Sequence, residues 1–224
     1  MSTNRIPRKT ISRRPAARGV AMIVVLMLLL AVTGIAVFSA KNASFGETSA
    51  RNQLDSELAR QAAESALRDA ERDLLLDGGV AVINAKCSRG EGRPLEPDGY
   101  RKFSSTCAQG QCVLLPAAYI SSTWTTGSTA AEPWWPVSKG GLWGNDPTAK
   151  PTAVGVNCTF NGGVPIGTYT GTAAIPGVAA QPEYLIERFE RGAKRNTFYR
   201  ITARGFGLSE STQVVLQTYF RPQY

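Results

Sequence analysis

The chain from residue 20 to residue 38 is apolar on all sides: it reads VAMIVVLMLLLAVTGIAVF, and no charged residue occurs between Arg18 and Lys41. At a rise of about 1.5 Å per residue, a helix of this length crosses a hydrocarbon layer of roughly 30 Å. The pattern then changes without a breaker. Between Thr48 and Leu76 there is no glycine or proline, and Leu54, Leu58, Ala62, Ala63, Ala66, Leu67, Ala70 and Leu74 recur at spacings of three and four. That spacing marks one apolar stripe on a helix. Glu57/Arg60, Glu64/Arg68 and Asp69/Arg72 stand at helical-neighbour spacing and are expected on the opposite, solvated face. Gly34 and Gly46 are the only soft points between Val20 and Leu76, so a nearly continuous helix is expected, stopping at Asp77-Gly78-Gly79.

Residues 80–182 are rich in glycine, proline, serine and threonine and show little periodicity. They read as loops with short elements that bury little apolar area. Order returns in three strand-like segments, 183–190 (EYLIERFE), 197–204 (TFYRITAR) and 212–220 (TQVVLQTYF). In the second, Tyr199, Ile201 and Ala203 alternate with Phe198, Arg200 and Thr202, the period of a half-buried strand. Gly192, and Gly205 with Gly207, are expected as turn formers; Gly205-Phe206-Gly207 is half of a glycine-rich fingerprint with no helix behind it. The expected fold is α+β: a long N-terminal helix, its second half packed on a C-terminal antiparallel meander, with a loop-rich, disulfide-bonded middle.

The net charge of +8 invites a nucleic-acid reading only if it is spread over a folded face. It is not. Arg5, Arg8, Lys9, Arg13, Arg14 and Arg18 lie ahead of the apolar run, and the first acid is Glu47. Without those six, 19 basic residues face 17 acidic ones, so the bulk of the chain is close to neutral and no nucleic-acid partner is expected. The basic start puts the N-terminus in the cytoplasm and everything beyond about residue 41 outside. A cleaved secretory signal fits less well, because the apolar run is too long and continues as helix.

All four cysteines, Cys87, Cys107, Cys112 and Cys158, lie on the exported side, which suits disulfides; three pairings are open. With no histidine in the chain and no paired zinc-ribbon spacing, neither a metal site nor another cofactor is expected. The Ser/His/Asp type of nucleophilic catalysis lacks its base, and no carboxylate pair stands out, so an enzyme is not expected. Trp124, Trp134, Trp135 and Trp143 read either as a partner-binding surface or, preferably, as packing for a loop-rich region.

The Arg-rich leader ending in Gly19, followed by Val20-Ala21-Met22-Ile23, a long helix and a C-terminal sheet, resembles the class III signal of type IV pilins and type II secretion pseudopilins. The stretches RQAAESALR (60–68), EYLIE (183–187), YRITARG (199–205) and VVLQ (214–217) are similar to the PilX group of minor pilins. The resemblance implies a leader of residues 1–19 cut after Gly19 by a prepilin peptidase, with methylation at Val20. It also implies an anchor and filament-core helix over 20–41, and a periplasmic head over 42–224 that contains the amphipathic helix 47–77 and the sheet 183–221. Most pilins carry a glutamate as the fifth mature residue, where this chain has Val24. Implied partners are the membrane, other minor and major pilins, a tip adhesin, the inner-membrane assembly platform and the prepilin peptidase. The implied role is to prime a type IV pilus at the inner membrane and to remain near its tip. A type II secretion minor pseudopilin and a membrane-anchored periplasmic binding module are the alternatives.

Overall fold

The computed structural model describes residues 18–76, 82–89, 103–113, 132–143, 150–155, 157–191 and 196–221. The leader ahead of Arg18, the expected helix stop at Asp77-Gly78-Gly79, Trp124 and Gly192 lie outside the described residues. The chain divides into two compact units, Met1–Arg51 and Asn52–Tyr224.

Helix α1 runs over Arg18–Leu75, through both Gly34 and Gly46. In the second unit its buried stripe is Ala59, Ala62, Ala63, Ala66, Ala70 and Leu74. This is shifted from the expected stripe: Leu54 is 65% exposed, and the small Ala59 takes the first contact. Alanine prevails here because the sheet comes too close to the helix for longer side chains. The charged face also differs from expectation. Arg60 pairs with Glu64 at 3.2 Å and Gln61 with Glu57, whereas Asp69 and Asp73 are buried on the alanine stripe itself.

Among the described residues, five strands form one sheet: β1 (Gln111–Val113), β2 (Val164–Pro165), β3 (Glu183–Arg191), β4 (Asn196–Phe206) and β5 (Gln213–Phe220). β3, β4 and β5 make the expected antiparallel meander, with Ile186 opposite Ile201 and Ala203 opposite Leu216. Two short strands enlarge it. β1 runs parallel to β3 and β2 antiparallel to it, so the sheet is mixed, in the order β1-β3-β4-β5 with β2 also on β3.

One face of the sheet packs on α1. Tyr184, Ile186, Tyr199, Ile201 and Ala203 join Ala66, Ala70 and Leu74 there, with Phe160, Val164 and Tyr169 completing the cluster. Residues expected to bury little thus supply core: Phe160, Val164 and Tyr169 are at most 5% exposed. The other face is covered too. Arg200 and Thr202 are buried, so β4 is not the half-buried strand that its alternation suggests, and Leu185 packs there with Trp143, Cys107 and Cys112.

Gly205 is a strand residue paired with Val214 rather than a turn former. It faces α1, and an added Cβ would stand 2.1 Å from the Ala59 carbonyl oxygen. The turn follows at residues 207–212, closed by a Gly207 N–H to Thr212 O hydrogen bond of 3.0 Å.

Candidate assembly surface

In the first unit, Gly19 to Arg51 are all exposed. Val20 is 65%, Met22 71%, Leu30 69%, Ile35 67% and Phe38 66% exposed, so apolar side chains surround this part of α1 and none is buried among the described residues. Water is a poor solvent for such a surface, and two environments satisfy it: lipid, or the equivalent segments of neighbouring subunits. The helix is long and apolar enough to cross a membrane. Thr33 donates to the carbonyls of Leu29 at 2.8 Å and Leu30 at 3.0 Å, so its hydroxyl costs little in an apolar setting. Charge resumes at Lys41, and Arg51 meets Glu47 at 2.6 Å.

Gly19 and Val20 both lie in this exposed helix, where a Cβ on Gly19 would meet nothing within 4 Å. Val24 is 51% exposed.

In the second unit, three helix carboxylates hold the head to α1. Asp55 accepts the Leu208 N–H and the Thr212 hydroxyl, the latter at 2.5 Å. Asp69 accepts the Gly167 N–H at 2.8 Å, the Thr172 hydroxyl at 2.5 Å and the Thr170 hydroxyl. Asp73 takes both Nε (3.1 Å) and an Nη (2.6 Å) of Arg89 and the Tyr184 hydroxyl at 2.9 Å. Burial opposes the charge on Arg89, but Asp73 and the Tyr169 and Tyr184 hydroxyls outweigh it and hold the guanidinium ionised. Burial, reinforced by Asp73, pushes the Tyr184 hydroxyl well above its usual value, so it stays protonated and donates to Asp73. Sequence reasoning missed these anchors because charge was assigned to the solvated face. The signal was there, since Asp69 and Asp73 fall in phase with Ala66 and Ala70.

A second ionic layer lies on the far face of the sheet. Arg200 grips both oxygens of Glu187, at 2.7 Å each, and reaches Glu132 at 2.5 Å. Burial raises the Glu187 carboxyl, against the pull of Arg200. Glu183 meets Arg204 and, at 3.6 Å, Lys150, whose ammonium is pushed down by burial. The Arg200–Glu132 contact fastens the start of segment 132–143 to the sheet. Trp143 is 1% exposed and donates from Nε1 to the Trp134 carbonyl at 2.7 Å. Trp134 is part-buried against the same cluster, and Trp135 stands edge-on to it at 6.5 Å. Trp143 and Trp134 are thus packing groups of this cluster.

The cysteines pair as Cys87–Cys158 and Cys107–Cys112, with Cα separations of 5.7 and 4.2 Å. The first ties the segment after α1 to the loop before β2. The second closes the turn that feeds β1. No group of metal-ligating residues occurs among the described residues.

Two family comparisons bear on this arrangement. The family described as type IV pilus assembly protein PilX, C-terminal, matches residues 100–222, and the PilX N-terminal family matches residues 18–68. No curated protein and no solved structure matches the chain. The first match alone covers more than half of the 224 residues, and the second covers the apolar helix and the start of its alanine stripe. The chain therefore belongs to the PilX family of type IV pilus assembly proteins.

Proposed function

We propose that this chain is a minor pilin that primes assembly of a type IV pilus and stays near its tip. The observation that carries the reading is the uncharged helix from Gly19 to Ala40, in which Val24 stands where most pilins have glutamate. An acid inside an apolar bundle is retained only where it finds a partner; in pilins that partner is the N-terminal amine of a neighbouring subunit. A subunit without the acid suits the first place, where no earlier subunit presents an amine.

On this reading a prepilin peptidase cuts after Gly19 and methylates Val20. The leader stays in the cytoplasm, residues 20–41 are held in the inner membrane and then in the filament core, and residues 42–224 face the periplasm and later the cell exterior. Other minor and major pilins, the assembly platform and a tip adhesin are the partners. The family match favours the pilus over a type II secretion system. The task is assembly, not catalysis.

Intact-mass measurement on the membrane-extracted chain tests the first step. The expected mass is that of a chain starting at Val20 with one added methyl group. A mature chain still starting at Met1 would sink the reading, since a basic leader cannot be carried into an apolar bundle.

A further inference from the structure

Among the described residues, β5 is the open edge of the sheet: over Gln213–Phe220 it pairs with β4 and with no other strand. Edge strands are ordinarily blunted by charge, proline, a bulge or shortness, because their free N–H and C=O groups template another strand. β5 has none of these protections. Its eight residues, QVVLQTYF, carry no charge, proline or glycine. Its register to β4 runs without a bulge from Tyr199↔Phe220 to Phe206↔Gln213. The other flank of the sheet is made of strands of only three and two residues.

Alternate residues of β5, Val214, Leu216, Thr218 and Phe220, stand opposite Gly205, Ala203, Ile201 and Tyr199 on the α1 face. The remaining ones turn outward, where Val215 is 43% and Tyr219 69% exposed. Charge flanks the strand only at its ends, as exposed Glu210 before it and exposed Arg221 after it.

We propose that β5 is a docking edge for an extended strand of a different subunit of the same filament, an inference that rests on the filament reading above. A second copy of this chain does not fit. Two identical edges close by antiparallel pairing about a two-fold axis. That operation reverses the direction of residues 52–75 between copies, whereas the subunits of one filament share one direction. The partner strand is uncharged over about eight residues, and its β-branched or aromatic side chains cover Val215 and Tyr219. A basic group at one end meets Glu210 and an acidic group at the other meets Arg221.

The test uses the full-length chain in two states, isolated in detergent and enriched from solubilised filaments. Hydrogen exchange of the β5 amides is measured in both, and a benzophenone amino acid substituted for Tyr219 reports the neighbour by sequencing of its adduct. The expected result is exchange at least about tenfold slower at alternate β5 amides in the filament state, with the adduct in an extended, uncharged segment of another subunit. Val215→Lys with Tyr219→Lys should cut incorporation several-fold while leaving the thermal midpoint of the isolated chain unchanged. Unaltered β5 exchange in a chain that is incorporated overturns the docking edge and leaves the filament reading standing. An adduct to a second copy overturns it too. A chain absent from filaments removes the filament reading and the proposed partner with it.

Discussion

Gly205 sits inside β4 with the backbone of α1 directly above it, so that a Cβ there would stand 2.1 Å from the Ala59 oxygen and 2.4 Å from the Ala63 nitrogen. Backbone atoms in a helix cannot swing aside as a flexible side chain can, so relief requires the sheet and α1 to separate. Gly205→Ala is expected to destabilise the folded head by about 1–3 kcal/mol, as overpacking does, read as a lower thermal midpoint of the full-length chain in detergent; an unchanged midpoint would contradict the close approach. Two residues on, Asp55 clamps the turn between β4 and β5. The Thr212 hydroxyl, aided by the Leu208 and Ser209 amides, outweighs partial desolvation and holds the Asp55 carboxyl below its usual value of 3.8. A carboxyl depressed in the folded state contributes stability that is present above its unfolded pKa and lost as pH falls through the folded one. Asp55→Asn should therefore flatten the loss of stability below about pH 3.8 and change the pH slope little above it. Equal acid limbs in the two proteins would show that the clamp carries no linkage.

At the scale of elements, how much was legible depended on how periodic each element is. α1 and the meander β3-β4-β5 announce themselves because periods of 3.6 and two persist over many residues between breakers. β1 and β2 have three and two residues, too few for any period, and only their pairing with β3 makes them strands. The exposed apolar half of α1 was equally plain, since nothing charged interrupts it between Arg18 and Lys41. The buried carboxylates were not, because an acid on an apolar stripe reads as a surface group until Gly167, Thr170, Thr172 and Arg89 are seen to meet it. The cysteine pairing was likewise hidden, being set by tertiary distance. Its consequence can be measured. Cys87–Cys158 spans 71 residues and Cys107–Cys112 only five, so loop-closure entropy gives the first about 4 kcal/mol and the second about 2 kcal/mol. Replacing each pair by serine should lower denaturant stability in that order. The reverse order would mean that the small ring holds β1 by more than chain entropy.

For the molecule as a whole, what matters is that one helix carries both an uncharged apolar surface and three acids that hold a head domain, and Val24 belongs to the first of these. In a bilayer its isopropyl group needs no partner, whereas a carboxylate there costs about 2.5–3.5 kcal/mol near a helix centre and less toward its end. That cost is recovered only if a neighbouring amine is available. A subunit at the leading end of a filament has none ahead of it, so Val24→Glu is expected to leave pilus number per cell unchanged or lower, with immunogold label still at one end of each filament. A subunit within the shaft would give the opposite result, because there the new carboxylate gains a partner and incorporation rises. More pili with Val24→Glu than with the parent chain, or label along the shaft at levels near those of the major subunit, would defeat tip priming. Either outcome would leave membership of the PilX family untouched, since that rests on residues 18–68 and 100–222 taken together.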